Sequence, residues 1–108
     1  MLSHRTICRL RGLPVRGSNL IEVTVVGRTR DPIRGVRTHS ISHLLPSEAS
    51  RHEGIPATST ALALLDVAGF GDANELLACV HEARVQRLVS DRELRATLAA
   101  HPNRRGAR

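Results

Sequence analysis

Of the large aromatic residue types the chain holds a single representative, Phe70, with no Trp and no Tyr among its 108 residues. Aromatic side chains bury more surface per residue than any others. A core without them must be assembled from Leu, Val, Ile and Ala. The apolar fraction, 41%, suffices for one small domain with one modest core. The resulting expectation is a globular unit of marginal stability, in which each aliphatic contact counts.

Periodicity divides the chain into strands first and helices afterwards. Residues 3–11 read as a short helix, with Ser3 as cap, Ile7 and Leu10 on one face, and Gly12 and Pro14 as the stop. Leu20 to Gly27 is the clearest strand. Its Ile21, Val23 and Val25 alternate with Glu22 and Thr24, the period-two pattern of a half-buried strand. A basic turn, RTRDPIRG (28–35), leads to a second strand over Val36 to Ile41, expected to pair antiparallel with the first. Residues 42–54 read as polar and irregular, and Ile55 to Thr58 as a short third strand. Three helices follow. The first is capped by Thr58 or Ser59 and ends at Gly69. The second is capped by Asp72, with an apolar stripe of Ala73, Leu76, Leu77, Val80 and Ala83. The third is capped by Ser90 with Glu93 and turns Leu94 and Leu98 inward, ending at His101-Pro102. This order predicts an α+β fold, with a short N-terminal helix, a small antiparallel sheet of two or three strands, and three helices packed on it. The tail over 102–108 is expected to fray.

All sixteen basic residues are Arg. A GC-rich coding sequence accounts for Arg in place of Lys, but not for the formal net charge of +6. The charge is unevenly placed, with net +6 over residues 1–37, −5 over 38–83 and +5 over 84–108. Basic ends around an acidic middle suit a polyanionic partner, because Arg pairs bidentately with phosphate. Cys8 and Cys79 lack any paired-cysteine spacing and read as small buried hydrophobes, which fits a reducing, cytoplasmic setting. No stretch approaches the ~20 apolar residues of a membrane span, and the basic N-terminus lacks the apolar run of a secretory signal.

Several segments together resemble a bacterial family richest in actinobacteria. They are LSHRT and RLRGLP within 2–14, IEVTVVGRTR (21–30), GVRTHSIS (35–42), EGIPATSTALALLDVAG (53–69) and LVSDRELRATLAAHPNRRGAR (88–108). The family comprises AbiEi-like antitoxins and transcriptional regulators, many with a C-terminal domain related to very-short-patch repair endonucleases. The resemblance implies a chain corresponding to the middle of such a protein. Residues 1–13 would be the end of a winged-helix region, 18–101 the α+β domain and 102–108 a basic tail. It further implies a non-catalytic regulatory or antitoxin-like role by protein interaction, with DNA, a cognate toxin or an attached nuclease module as partner. The alternatives are the linker remnant of an endonuclease protein, or a truncated product inactive alone. The sequence departs from the family's TSPARTLLDLA pattern at Thr60, Leu62 and Ala63, while Thr58, Ser59, Leu65 and Asp66 match; Ser40 stands where an Arg is usual after His39.

No residue set reads as catalytic, and no cofactor or metal is expected. A related nuclease would need metal-binding acids beside a Lys, and the chain has no Lys. Asp91 and Glu93 sit where acids favour a helix N-terminus. His39 and His43 have a spacing that suits a metal on a helix, but they fall at a strand end and in a loop. His39 is expected to brace the loop 42–54. Asp66 has two readings, a contact with a partner or with an Arg of the hairpin, or a structural residue on an exposed helix side or in a local pair, and the structural one is favoured. Candidate phosphate contacts are Arg5, Arg9 and Arg11 on the first helix, Arg28, Arg30, Arg34 and Arg37 around the hairpin, and Arg104, Arg105 and Arg108 in the tail. Their binding would be weak, salt-sensitive and indifferent to sequence. The alternative is a solvated basic surface.

Overall fold

The computed structural model describes residues 1–17, 19–27, 32–69 and 72–102. Helix α1 (His4–Leu10) is followed by strands β1 (Ile21–Val26) and β2 (Val36–Ile41), a single 3-10 turn (Pro46–Glu48), and strands β3 (Ala49–His52) and β4 (Ile55–Thr58). Helices α2 (Thr60–Ala68), α3 (Ala73–Val85) and α4 (Asp91–Ala100) complete the order. The architecture is α+β, as the strands-then-helices pattern predicts.

The strand pairing differs from expectation. β1 and β2 are parallel, with Ile21 opposite Val36 and Val26 opposite Ile41. A connection between parallel strands must return along the whole strand, roughly 20 Å for six residues. Residues 27–35 reach roughly 30 Å when extended, so no crossover helix is required. The length that reads as a generous hairpin loop is also long enough for a return path. β3, within the stretch read as irregular, pairs antiparallel with β4. Glu53 and Gly54, both at positive φ (50° and 83°), form the two-residue turn between them, the twist that a tight hairpin favours.

The two ribbons are joined by the first residues of the chain. Leu2 bridges antiparallel to Val23 and parallel to Ala57. Its N–H donates to Pro56 O at 2.9 Å, and its carbonyl accepts from Thr58 N at 2.8 Å. On the β1 side, Ser3 N donates to Glu22 O and Thr24 N to Met1 O.

α2 is the hub. Every residue from Thr60 to Val67 is buried, the signature of a helix enclosed on all sides. α1, α3 and α4 all pack on it, whereas α3 and α4 meet each other only marginally. The main core gathers Ile7 and Cys8 of α1, Ala57, Ala61, Leu64 and Val67, Cys79 and Ala83 of α3, and Val89. Ser59, not Thr58, caps α2 by accepting from Leu62 N, Asp72 caps α3 by accepting from Glu75 N, and Ser90 with Glu93 closes a capping box on α4. Ser3 precedes α1 but makes no side-chain cap bond.

Four expected core faces are corrected. On α3 the inward line is Glu75, Cys79 and Ala83, with Leu77 67% exposed. On α4 Leu98 is 43% exposed. On β1 the buried face is the polar one, since Glu22 and Thr24 are buried while Ile21 is half exposed. Leu10, expected beside Ile7, also points out and is half exposed.

Candidate functional site

The inverted face of β1 arises because α1 supplies partners for it. Glu22 Oε2 accepts from the backbone N–H of Arg5 at 3.1 Å, and the Glu22 N–H donates to Thr6 Oγ1 at 2.7 Å. The Thr24 hydroxyl donates to Ser3 Oγ at 2.7 Å. From the neighbouring strand, His39 Nε2 lies 3.2 Å from Glu22 Oε1. The His39 ring stacks on that of His4, with centroids 3.7 Å apart and planes 15° from parallel. His4 in turn places Nδ1 3.6 Å from Asp66 Oδ2 of α2. The result is a column of carboxylate, imidazole, imidazole and carboxylate, running from β1 through β2 and α1 to α2. Buried carboxylates are retained only where such partners compensate their lost hydration.

Ser3, His4 and Asp66 therefore meet, although no such trio is legible in the sequence. Their geometry is not that of a nucleophile with its base. A hydrolytic triad holds serine and carboxylate on different imidazole nitrogens. Here Ser3 Oγ (2.8 Å) and Asp66 Oδ2 (3.6 Å) both face Nδ1 of His4. Ser3 is also completely buried, beyond the reach of a substrate. The arrangement fastens α1 to the strands and to α2. Asp66 is structural in this sense, but it is buried rather than on an exposed helix side. His39 braces His4 and Glu22 rather than the loop 42–54.

A second buried pair fastens α4. His101 Nε2 lies 3.0 and 3.1 Å from the two oxygens of Glu48, and both residues are almost fully buried. His43 stacks on His101 with centroids 4.9 Å apart, and its Nε2–H donates to Ala100 O at 2.9 Å. His39 and His43 thus belong to different clusters. Among the described residues no group of three or more His, Cys, Asp or Glu is placed to hold a metal.

The arginines divide into those spent on the fold and those left at the surface. Arg5 pairs with Glu75 at 2.5 Å, with only 20% of its side chain exposed. Arg16 pairs with Asp72, and its backbone N–H donates to Glu75 Oε2 at 2.6 Å. The Arg16 guanidinium and the cap bond from Glu75 N–H, the stronger of the two influences, hold the Asp72 carboxyl below its usual range. Arg11 reaches Ser50 Oγ at 3.4 Å. Arg9, Arg34 and Arg37 are exposed and make no ion pair among the described residues. Arg28, Arg30, Arg104, Arg105 and Arg108 lie outside the described residues. Thr58 is buried, and its hydroxyl makes no hydrogen bond among the described residues.

Between α1 and the start of β1 runs a groove of about 370 Å³. Leu2, Leu10, Leu20 and Ile21 give it apolar walls, and Arg5, Arg9 and Arg16 stand around it. Arg34 belongs to the same end of the strand pair, because the Ile21 N–H donates to the carbonyl of the next residue, Gly35. Of these arginines the sequence marks Arg5, Arg9 and Arg34 but not Arg16, and it does not reveal the groove, two of whose wall residues, Leu10 and Ile21, are expected inside. The sequence assigns no site role to His4, Glu22, Glu48 or His101, since a lone His or Glu carries no spacing signal. Comparison with known protein families, curated proteins and solved structures returned no match.

Proposed function

We propose that the chain is a non-catalytic interaction module of a DNA-associated, antitoxin-like protein. The observation that carries this reading is the groove beside α1, which combines apolar walls with guanidinium groups. Apolar walls suit a side chain of a protein partner, and unpaired guanidinium groups suit phosphate oxygens. The buried histidines and carboxylates support the absence of chemistry, because they are engaged in tying helices to strands. Among the described residues Arg9, Arg34 and Arg37 are exposed cations without an ion pair, and Arg9 stands at the groove itself. Arg5 and Arg16 shape the groove from within their ion pairs with α3. A reducing, cytoplasmic setting belongs to the same reading and is supported by two buried thiols that form no disulfide.

The test is titration of a fluorescent DNA duplex at a series of salt concentrations. Affinity is expected to be weak and to fall as salt rises, because each neutralised phosphate releases counterions. Joint replacement of Arg9 and Arg34 by Ala is expected to lower the slope of log K against log salt by about two, at roughly 0.9 per contact. Affinity that does not respond to salt, or a double variant with an unchanged slope, would overturn the phosphate assignment.

A further inference from the structure

β2 is an edge strand, paired among the described residues with β1 alone. In a parallel pair, alternate residues turn their backbone groups toward the partner. The bonds from Ile21 N–H to Gly35 O and from Gly27 N–H to Ile41 O mark the odd-numbered residues of β2 as those facing β1. Val36, Thr38 and Ser40 therefore face away. The Val36 N–H donates to Ile33 O. The Val36 carbonyl and both backbone groups of Thr38 and of Ser40 make no hydrogen bond among the described residues. Such a row is a template for another strand, because an extended polypeptide offers N–H and C=O groups at the same repeat.

Charge and face select that strand. From Ile33 to His43 the chain carries Arg34, Arg37, His39 and His43 and no acid. Arg34 and Arg37 are exposed and make no ion pair among the described residues. A second copy of β2 would set these cations against one another, which is unfavourable across a strand pair. A DNA duplex reaches the guanidinium groups but offers no backbone ladder to Thr38 and Ser40. On the other side of the ribbon, Ile21, Val23, Val25 and Val36 share a partly exposed face. A segment alternating apolar and acidic residues continues both faces. Antiparallel addition gives each outward residue one partner joined by two bonds. It leaves Arg37 in a non-hydrogen-bonded pair, where facing side chains come closest.

We infer that β2 takes an extended, acidic segment of a partner protein as a further antiparallel strand, with a carboxylate opposite Arg37. The inference rests on the reading of the chain as an interaction module, but not on the groove beside α1. The probe is a peptide alternating Val and Glu, matched to the six residues of β2, titrated into the isotope-labelled full chain and followed by NMR. Saturable shifts centred on β2 are expected, with slowed exchange of the Thr38 and Ser40 amide protons. N-methylation of the Val amides, which point at β2 in this pairing, is expected to abolish binding without altering the protein. Arg37→Glu is expected to weaken binding about fivefold or more, and to favour instead a peptide alternating Val and Lys. A peptide that does not bind at millimolar concentration, or one that binds equally well when its Val amides are methylated, would overturn the inference. So would protection of the Thr38 and Ser40 amides by a DNA duplex in place of the peptide. Arg9→Ala should leave the peptide's affinity unchanged while lowering the salt slope for DNA, so the two readings fail separately.

Discussion

Cys8 and Cys79 show how far burial can move a side chain's chemistry. Burial, reinforced by the neighbouring Cys79, pushes the Cys8 thiol up to about 12, and burial raises Cys79 in the same direction. A thiol whose folded pKa lies above its unfolded value leaves stability intact below the ordinary thiol range. The stability is then lost as pH rises toward the folded value. The chain has neither Lys nor Tyr, so between pH about 9 and about 12 little else titrates. Denaturant melts are therefore expected to show stability falling through that window, by up to about 1.4 kcal/mol per pH unit from Cys8. Cys8→Ala should flatten that slope; an equally steep decline in the variant would sink the assignment. The buried pair Glu48–His101 gives a second expectation at this scale. His101→Ala strips the partner from a carboxylate that is 1% exposed, a change that costs about 3–5 kcal/mol. Against a typical total of about 5–15 kcal/mol for a domain, thermal melting should show a large loss, whereas Leu77→Ala at the surface should change little.

Among the elements, helix ends were the most legible parts of the sequence, because capping depends on residues three positions apart. Asp72 and Ser90 cap where their spacing to Glu75 and Glu93 predicts. Ser59 settles the choice at the start of α2, and Ser59→Ala is expected to cost about 1 kcal/mol by urea melting, with Thr58→Ser affecting no cap. Strand direction and strand face were not legible, for a common reason. Alternation along Leu20 to Gly27 marks a strand, but which side is buried depends on what packs there. α1 brings backbone N–H groups, Thr6 and Ser3 to Glu22 and Thr24, so the polar side turns inward and Ile21 turns out. Likewise, nothing in residues 27–35 distinguishes a hairpin loop from a return path of the same length. β3 went unread because Ala49, Ser50, Arg51 and His52 carry no strand propensity of their own.

For the whole molecule, the α+β order was legible and the candidate site was not. A thin aliphatic core leaves α2 as the shared support of three other helices. Apolar residues that a larger core would absorb, Leu10 and Ile21 among them, remain half exposed beside Arg9. Net charge predicted a polyanionic partner but could not tell arginines committed to Glu75 and Asp72 from those left free. The bridge made by Leu2 has a further meaning for how the chain reaches this shape. Its two partners, Val23 and Ala57, lie 21 and 55 residues downstream, so the central contact between the ribbons cannot close until residue 57 has been made. Closing long loops before their contacts repay the entropy slows folding. During synthesis the contact at Leu2 must therefore wait for β4, the last strand among the described residues.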